Sequence, residues 1–296
     1  MNMNTISAKI ITDSVSPIGV RLITMECTFP RFILAQVNTH RQFSRNSASS
    51  RAIPISKRIA EVETDPYIPI NFGANQPGMQ AGPVVGVRQR WEAQNIWRNA
   101  AANAAQSAKR MAETGVHKEV VNRLLEPFLW HKAIISATEW ENFFEQRLGD
   151  GAQPEIRDLA RAMRDSIDLS IPQPVFWGDY HLPYITPEEI KEHTKYRCMA
   201  MSVARCARVS YLNHDGTYSV DKDMALFHKL KGATPPHLSP FEHIARPSET
   251  GCAGNFHMWE QFRHILEEYE AMDKCYTKGI SHPVGTIDKI ETNRLG

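Results

Sequence analysis

Charge of one sign is missing from this chain. Lys and Arg number 34 against 33 Asp and Glu in 296 residues, so no global basic field points to a nucleic acid or a membrane surface. Any anion site must be local. No apolar run approaches the roughly 20 residues of a membrane span, no charged-then-apolar leader opens the chain, and there is no internal repeat or low-complexity tract. Cysteine is scarce: Cys27, Cys198, Cys206, Cys252 and Cys275 include no C-x-x-C pair, which speaks for reduced thiols and against a disulfide frame or zinc site. His237, Glu242 and His243 do not have a zincin spacing, and no metal is expected. These absences describe a soluble, cytoplasmic protein with neither a membrane nor a specific nucleic acid as partner. Its length suits a single domain over residues 1–296 with a polar tail from about residue 278.

What is present is concentrated in one stretch, Thr39 to Arg51. It places His40, Arg41, Arg45 and Arg51 among Ser44, Ser47, Ser49 and Ser50 with hardly an apolar anchor. A solvated loop is the bland reading of such a run. The apolar segment before it, Phe29 to Val37, weakens that reading, because Thr28 and Pro30 suit the start of a helix that would set Gln36 and His40 on one face. Forked guanidinium donors, hydroxyls and an amide at the end of a rigid element are what a phosphate-bearing ligand needs.

Elsewhere, partial alternation from Ile6 to Cys27 around Ser16-Pro17-Ile18-Gly19 predicts a β-hairpin. Residues 53–83, rich in Pro, Gly and Asn, read as a long irregular connection. An Ala-rich helix is predicted over Val87 to Glu113, a second stripe over His117 to Phe128, and further helices over 137–148, 154–169, 188–212, 220–230 and 255–270. The prolines of 170–185 predict an extended crossing, and Asp215-Gly216 a turn. Arg157, Arg161 and Arg164 fall on the polar side of their helix and are expected in solvent. In the helix before it, Arg147 falls amid the apolar stripe of Trp140, Phe143, Phe144 and Leu148. A cation there must face an anion, either a protein carboxylate or a ligand.

The stretch 39–51 resembles the signature Arg-His-Arg-x-x-Ser-x-Asn-Glu-x-Ser-x-Arg of the flavin-dependent thymidylate synthases. It matches at His40, Arg41, Ser44, Asn46, Ser49 and Arg51, and departs at Thr39 (usually Arg) and Ser47 (usually Glu). Their His-x-Ser/Thr-Pro-Phe-Glu-His block is matched by His237 to His243, their Ala-Arg-Val-Ser-Tyr by Ala207 to Tyr211, and a helix with Asn and Arg five apart by Asn142 and Arg147, followed by Ala152 to Ile156. In that family the histidine block comes first; here it comes last, which looks like a circular permutation.

The resemblance implies an α+β fold, a β-sheet packed against several long helices, and a homotetramer with its sites where subunits meet. It implies reductive methylation of dUMP to dTMP with FAD as cofactor, and NADPH and methylene-tetrahydrofolate as co-substrates. Gln36, Ser49, Arg51, Arg123 and Arg147 would bind the deoxynucleotide, with Arg147 beside the pyrimidine favouring its anionic form. His40, Arg41, Ser44, Asn46, Asn142, His237 and Ser239 would serve the flavin. No cysteine has the Pro-Cys setting of a Cys-adduct synthase. Two alternatives stay open: a flavin-dependent hydroxymethylation or other one-carbon modification of a pyrimidine deoxynucleotide, motivated by Ser47, and a non-catalytic nucleotide- or nucleic-acid-binding module.

Overall fold

The computed structural model describes residues 4–210, 219–251 and 254–266. The chain opens with the expected hairpin, β1 (Ser7–Val15) and β2 (Arg21–Pro30), paired antiparallel from Ser7↔Thr28 to Val15↔Arg21. Gly19 turns it at φ +83°, donating to the Ser16 carbonyl at 2.9 Å. Across the hairpin the Arg21 guanidinium grips the Asp13 carboxylate, with Nε to Oδ1 at 2.8 Å.

The helix expected over 29–37 is shorter. Strand β2 runs through Pro30, a 3-10 turn takes 31–33, and α1 (Leu34–Val37) is a single turn. His40 therefore lies beyond the helix and not on its face. Next come β3 (Ser44–Ser47) and α2 (Ile55–Thr64). The second of these corrects the irregular reading of 53–83: Pro54 opens a helix whose Ile59 and Val62 are buried, too brief a stripe to stand out among prolines. Helix α3 spans Val87–Glu113 as expected. The second stripe is split between α4 (Lys118–Val121) and a 3-10 stretch, 122–128, that contains Pro127. Val121, Leu125 and Phe128 point inward, while Val120 and Leu124 are exposed.

Strand β4 (Trp130–Ala137) was not anticipated, and the helix expected from 137 begins four residues later, as α5 (Glu141–Arg147). Ala133, Ile134 and Ile135 form a continuous apolar run because β4 is covered on both faces, which hides a strand's alternation. Helix α6 (Pro154–Asp168) buries Ile156, Leu159, Ala160 and Met163. Of its arginines only Arg161 is well solvated; Arg164 lies 4.3 Å over the Phe144 ring, and Arg157 pairs with Asp150 at 3.2 Å. The crossing segment contributes β5 (Gln173–Pro174), followed by α7 (Pro187–Glu192), α8 (Lys195–Ala207) and α9 (Val220–Lys231). Where a helix was expected over 255–270, a two-stranded ribbon, β6 (Ala245–Pro247) with β7 (Trp259–Gln261), comes first, and helical residues begin at 262. The Asp215-Gly216 turn and the polar tail lie outside the described residues.

The main sheet has the order β3-β4-β2-β1-β5, antiparallel except for the β1/β5 pair. The fold is α+β, a mixed sheet with helices on both faces. Because side chains alternate, the register divides the chain into two cores. Ile23, Met25 and Cys27 of β2, with Ala133 and Ile135 of β4, pack on α5 and α6. From the other face Ile134 packs on α8, α9 and the 237–243 segment through Val203, Phe227 and Phe241. Among the described residues no helix is long and apolar enough to cross a membrane.

The second core contains a buried ion network. Asp223, fully buried, receives Arg205 at 3.0 Å and Arg208 at 2.7 Å, and Arg205 also binds Glu189. Removing its central carboxylate leaves Arg208 without a carboxylate partner among the described residues and takes one of two from the buried Arg205. Asp223→Ala is expected to cost about 3–5 kcal/mol in urea unfolding, whereas loss of the exposed Arg161–Asp158 pair is expected to cost under about 1 kcal/mol.

Candidate active site

Strand β3 carries the centre of the Arg/Ser motif and lies at the edge of the sheet, paired among the described residues only with β4. Its pleat sorts the motif. Ser44 and Asn46 face the α8 side, where Asn46 Nδ2 donates to the Cys206 carbonyl at 2.7 Å and Ser44 Oγ accepts from Gln261 Nε2 at 2.8 Å. Arg45 turns the other way and donates to the His40 carbonyl at 2.8 Å and the Val37 carbonyl at 3.2 Å. The motif thus supplies two different surfaces.

On the α5 side lies a cavity of about 420 Å³ bordered by Thr39, His40, Arg41, Asn142 and Phe143, with Glu139 and Gln146 at its rim. Arg147, in the last turn of α5, does not border this cavity but holds two residues that do. Its Nε donates to His40 Nε2 at 2.9 Å and its Nη2 to Thr39 Oγ1 at 3.2 Å. No carboxylate pairs with Arg147 among the described residues, so both of its partners are neutral. The accepting Nε2 requires a neutral imidazole. Burial, then the Arg147 and Arg45 charges, hold the His40 pKa down at about 4. The His40 ring is fixed edge-on against Phe143, with centroids 4.8 Å apart.

On the α8 side, a cavity of about 570 Å³ is bordered by Asn46, Ser49, Arg51, Lys118, His237 and Ser239. The 237–243 segment reaches it by folding back against β3: Gln261 ties Ser44 to the Glu242 carbonyl, and Phe241 is buried in the second core. Two cations and several hydroxyl, amide and imidazole groups face one carboxylate, Glu119, a donor set suited to a phosphate-bearing molecule.

The structure brings most of the expected residues into these two cavities, and it sets four apart. Arg147 borders neither and stands behind the His40 and Thr39 side chains that it holds. Ser44 is buried with its hydroxyl already engaged, so it positions β3 and offers nothing to a ligand. Gln36 donates to Gln153 at 2.5 Å, outside both cavities. Arg123 is tied to Glu126 at 2.8 Å, a carboxylate that also holds Arg31. Lys118 was missed in the sequence. It adjoins Arg51 only through the fold, with its Nζ donating to the Ala52 carbonyl at 3.3 Å, and no local spacing signals that.

The depressed His40 pKa makes stability depend on pH. A native pKa near 4 against an ordinary 6.5 means that the unfolded chain takes up the proton first. Stability from this group is therefore complete above about pH 6.5 and is lost as pH falls toward 4. In Arg147→Leu one of the charges that depress it is gone, so the His40 ring resonances are expected to titrate at higher pH and the loss of stability between pH 6.5 and 4 to shrink. An unmoved titration would show that the Arg147–His40 contact does not form in solution.

Comparison with known proteins adds to this geometry. No curated protein matches the chain. The solved structures that resemble it distantly include two of a UMP/dUMP methylase, PolB, from Streptomyces cacaoi. The form bound with 5-Br UMP is 15% identical, covers 55% of this chain and 89% of its own, and gives a TM-score of 0.48. The form bound with 5-Br dUMP is 13% identical, covers 56% and 91%, and gives 0.44. Membership rests instead on the family match. The model described as thymidylate synthase complementing protein matches residues 5–173, more than half of the chain, which includes both the Arg/Ser motif and Arg147 but ends before the 237–243 block. The chain belongs to the thymidylate synthase complementing protein family.

Proposed function

We propose that this protein makes dTMP by reductive methylation of dUMP, with methylene-tetrahydrofolate as carbon donor and FAD, recharged by NADPH, as hydride source. One observation carries the reading: Arg147 stands half-buried at the end of α5 with only neutral partners among the described residues, and its remaining N–H groups suit an anionic ligand. Methylation at C5 of uracil requires the ring to become a carbon nucleophile, and a guanidinium beside the pyrimidine stabilises the anionic form that leads there. Neutral His40 and Thr39 aim that guanidinium, and burial keeps His40 from competing as a second cation.

The donors of the α8-side cavity fit the phosphates. Ser49, Arg51 and Lys118 would hold the nucleotide, while His237 and Ser239 would border the flavin. When bound, the flavin supplies the hydride. The thiols among the described residues favour this chemistry over a cysteine adduct. Cys27, Cys198 and Cys206 are buried, and burial raises the pKa of each, which keeps them as unreactive thiols. The two cavities flank one strand, so complete sites are proposed to form where subunits of a homotetramer meet. The exposed Val87, Trp91 and Ile96 of α3 offer apolar surface for that assembly. In this reading the permuted block order leaves the site intact, because the 237–243 segment is brought to β3 by packing.

Purified protein is expected to be yellow, to bind dUMP with a rise in Tm, and to oxidise NADPH faster when dUMP is present. Arg147→Leu is expected to keep the flavin and melt within a few degrees of wild type, to lose the dUMP-induced rise in Tm, and to lower turnover by about 10²–10³-fold. A colourless protein after refolding in excess FAD would overturn the flavin assignment. Mass spectrometry of the product separates a methyl from a hydroxymethyl transfer, the second being the outcome that Ser47 in place of Glu would explain.

A further inference from the structure

A cavity of about 660 Å³ lies away from the site described above, and nothing in the proposed reaction uses it. Its volume is in the range of small-molecule sites. Five consecutive residues of β1, Ile10 to Ser14, border it. Successive side chains of a strand point to opposite faces, so a cavity touching all five runs along the outer edge of β1. Only Ser14 and Val15 pair with β5 on that side, and no strand pairs with Ile10–Asp13 there among the described residues. The far wall is apolar, with Ile171, Leu182, Ile185 and Ile190. Its charged groups are already spoken for: Asp13 by Arg21 and the Ser170 hydroxyl at 2.5 Å, and Asp179 by Lys195 at 3.0 Å.

Ser14 differs, and a buried hydrogen-bond chain explains why. Ser14 Oγ lies 2.8 Å from His181 Nδ1; His181 Nε2 lies 2.8 Å from Thr24 Oγ1; Thr24 Oγ1 lies 2.5 Å from Ser136 Oγ; and Ser136 Oγ lies 2.8 Å from His243 Nδ1. Both rings are fully buried and neutral, with burial lowering each pKa to about 3. Each neutral ring has one N–H and so passes the direction on. Thr24 and Ser136 are fully buried, and either hydroxyl, if it accepted from both sides, would leave its own hydrogen with no acceptor among the described residues; all four bonds therefore run in the same direction. The far end decides which. His243 Nε2 is buried with no partner. A proton there would be an orphaned donor, whereas a bare imine nitrogen is the cheaper orphan. The proton therefore sits on Nδ1 of His243, and the bonds run His243 to Ser136 to Thr24 to His181 to Ser14. Ser14 ends the chain as an acceptor, and its own hydroxyl hydrogen has no acceptor among the described residues.

We infer that this cavity binds a small, mainly apolar molecule carrying a carbonyl oxygen, with the Ser14 hydroxyl donating to that oxygen and the isoleucine wall covering its hydrocarbon body. The test uses Prodan, a naphthalene ketone whose emission reports both apolar burial and hydrogen bonding to its carbonyl, added to the full chain. Saturable binding with a blue-shifted emission is expected. Ile190→Trp, a substitution at a half-exposed rim position, is expected to abolish it by filling the cavity. In Ser14→Ala the affinity is expected to fall about tenfold, equivalent to about 1.4 kcal/mol and within the range of one neutral hydrogen bond. Nitrogen NMR of the histidine rings is expected to place the His181 proton on Nδ1 in the wild type, a readout that survives if Ser14→Ala folds poorly. Absence of saturable binding, binding unchanged by Ile190→Trp, equal affinity in Ser14→Ala, or a His181 proton on Nε2 would each overturn the assignment.

Discussion

Strand β4 pairs with β2 along eight residues and with β3 along four, and that register decides which side chains can meet. Setting Met25 opposite Ile135, and Glu26 opposite Ile134, sends alternate residues into two separate cores. The same alternation passes into β3, where Asn46 must face α8 because Ile134 does, and Arg45 must face α5 because Ile135 does. The α8-side cavity takes Asn46 from this arrangement, and Arg45 on the other face holds the His40 carbonyl beside the α5-side cavity. The burial of β4 on both faces makes the register costly to change, since a slip by one residue would turn every apolar side chain of the strand to the wrong core.

Neutral imidazole is the recurring connector between these parts. His40, His131, His181 and His243 are all buried, and burial leads the causes that keep each of them uncharged at neutral pH. A neutral ring accepts at one nitrogen and donates at the other, so it can pass the direction of a hydrogen bond around a corner that a hydroxyl alone cannot span. His40 accepts from Arg147, and His131 Nδ1 lies 3.0 Å from Arg31 Nη1. At Arg147 the ring supports a guanidinium without cancelling its charge, as a carboxylate would; Arg31 differs in being paired with Glu126 as well, at 2.9 Å.

Much of this was legible in the residues themselves. Helix α3 has the bounds its alanine-rich, glycine-free run predicts, and the hairpin turns at Gly19 as its turn residues require. The oddity of Arg147 in an apolar stripe was also visible, though not its partners. What stayed hidden depends on long-range packing. Strand β4 lost its alternation by being covered twice, and α2 was masked by the prolines around it. The division of the motif into two surfaces could not be read from spacing, because it follows from β3 being a strand, and four residues of Ser, Arg, Asn and Ser carry little strand propensity. Lys118 belongs to the same class, as a neighbour of Arg51 only in three dimensions.

The pleat of β3 also explains why the motif's spacing is rigid. From His40 to Ser49 the chain passes from one side of the sheet edge to the other, and what it must keep constant is a physical length with a fixed parity. Substitution within β3 changes one contact. Insertion or deletion of a single residue there would exchange the two faces, sending Arg45 into the buried α8 side and Asn46 toward α5; the α8-side cavity would lose Asn46, and the His40 carbonyl would lose Arg45. The motif is therefore far more tolerant of altered letters, as Thr39 and Ser47 illustrate, than of an altered count.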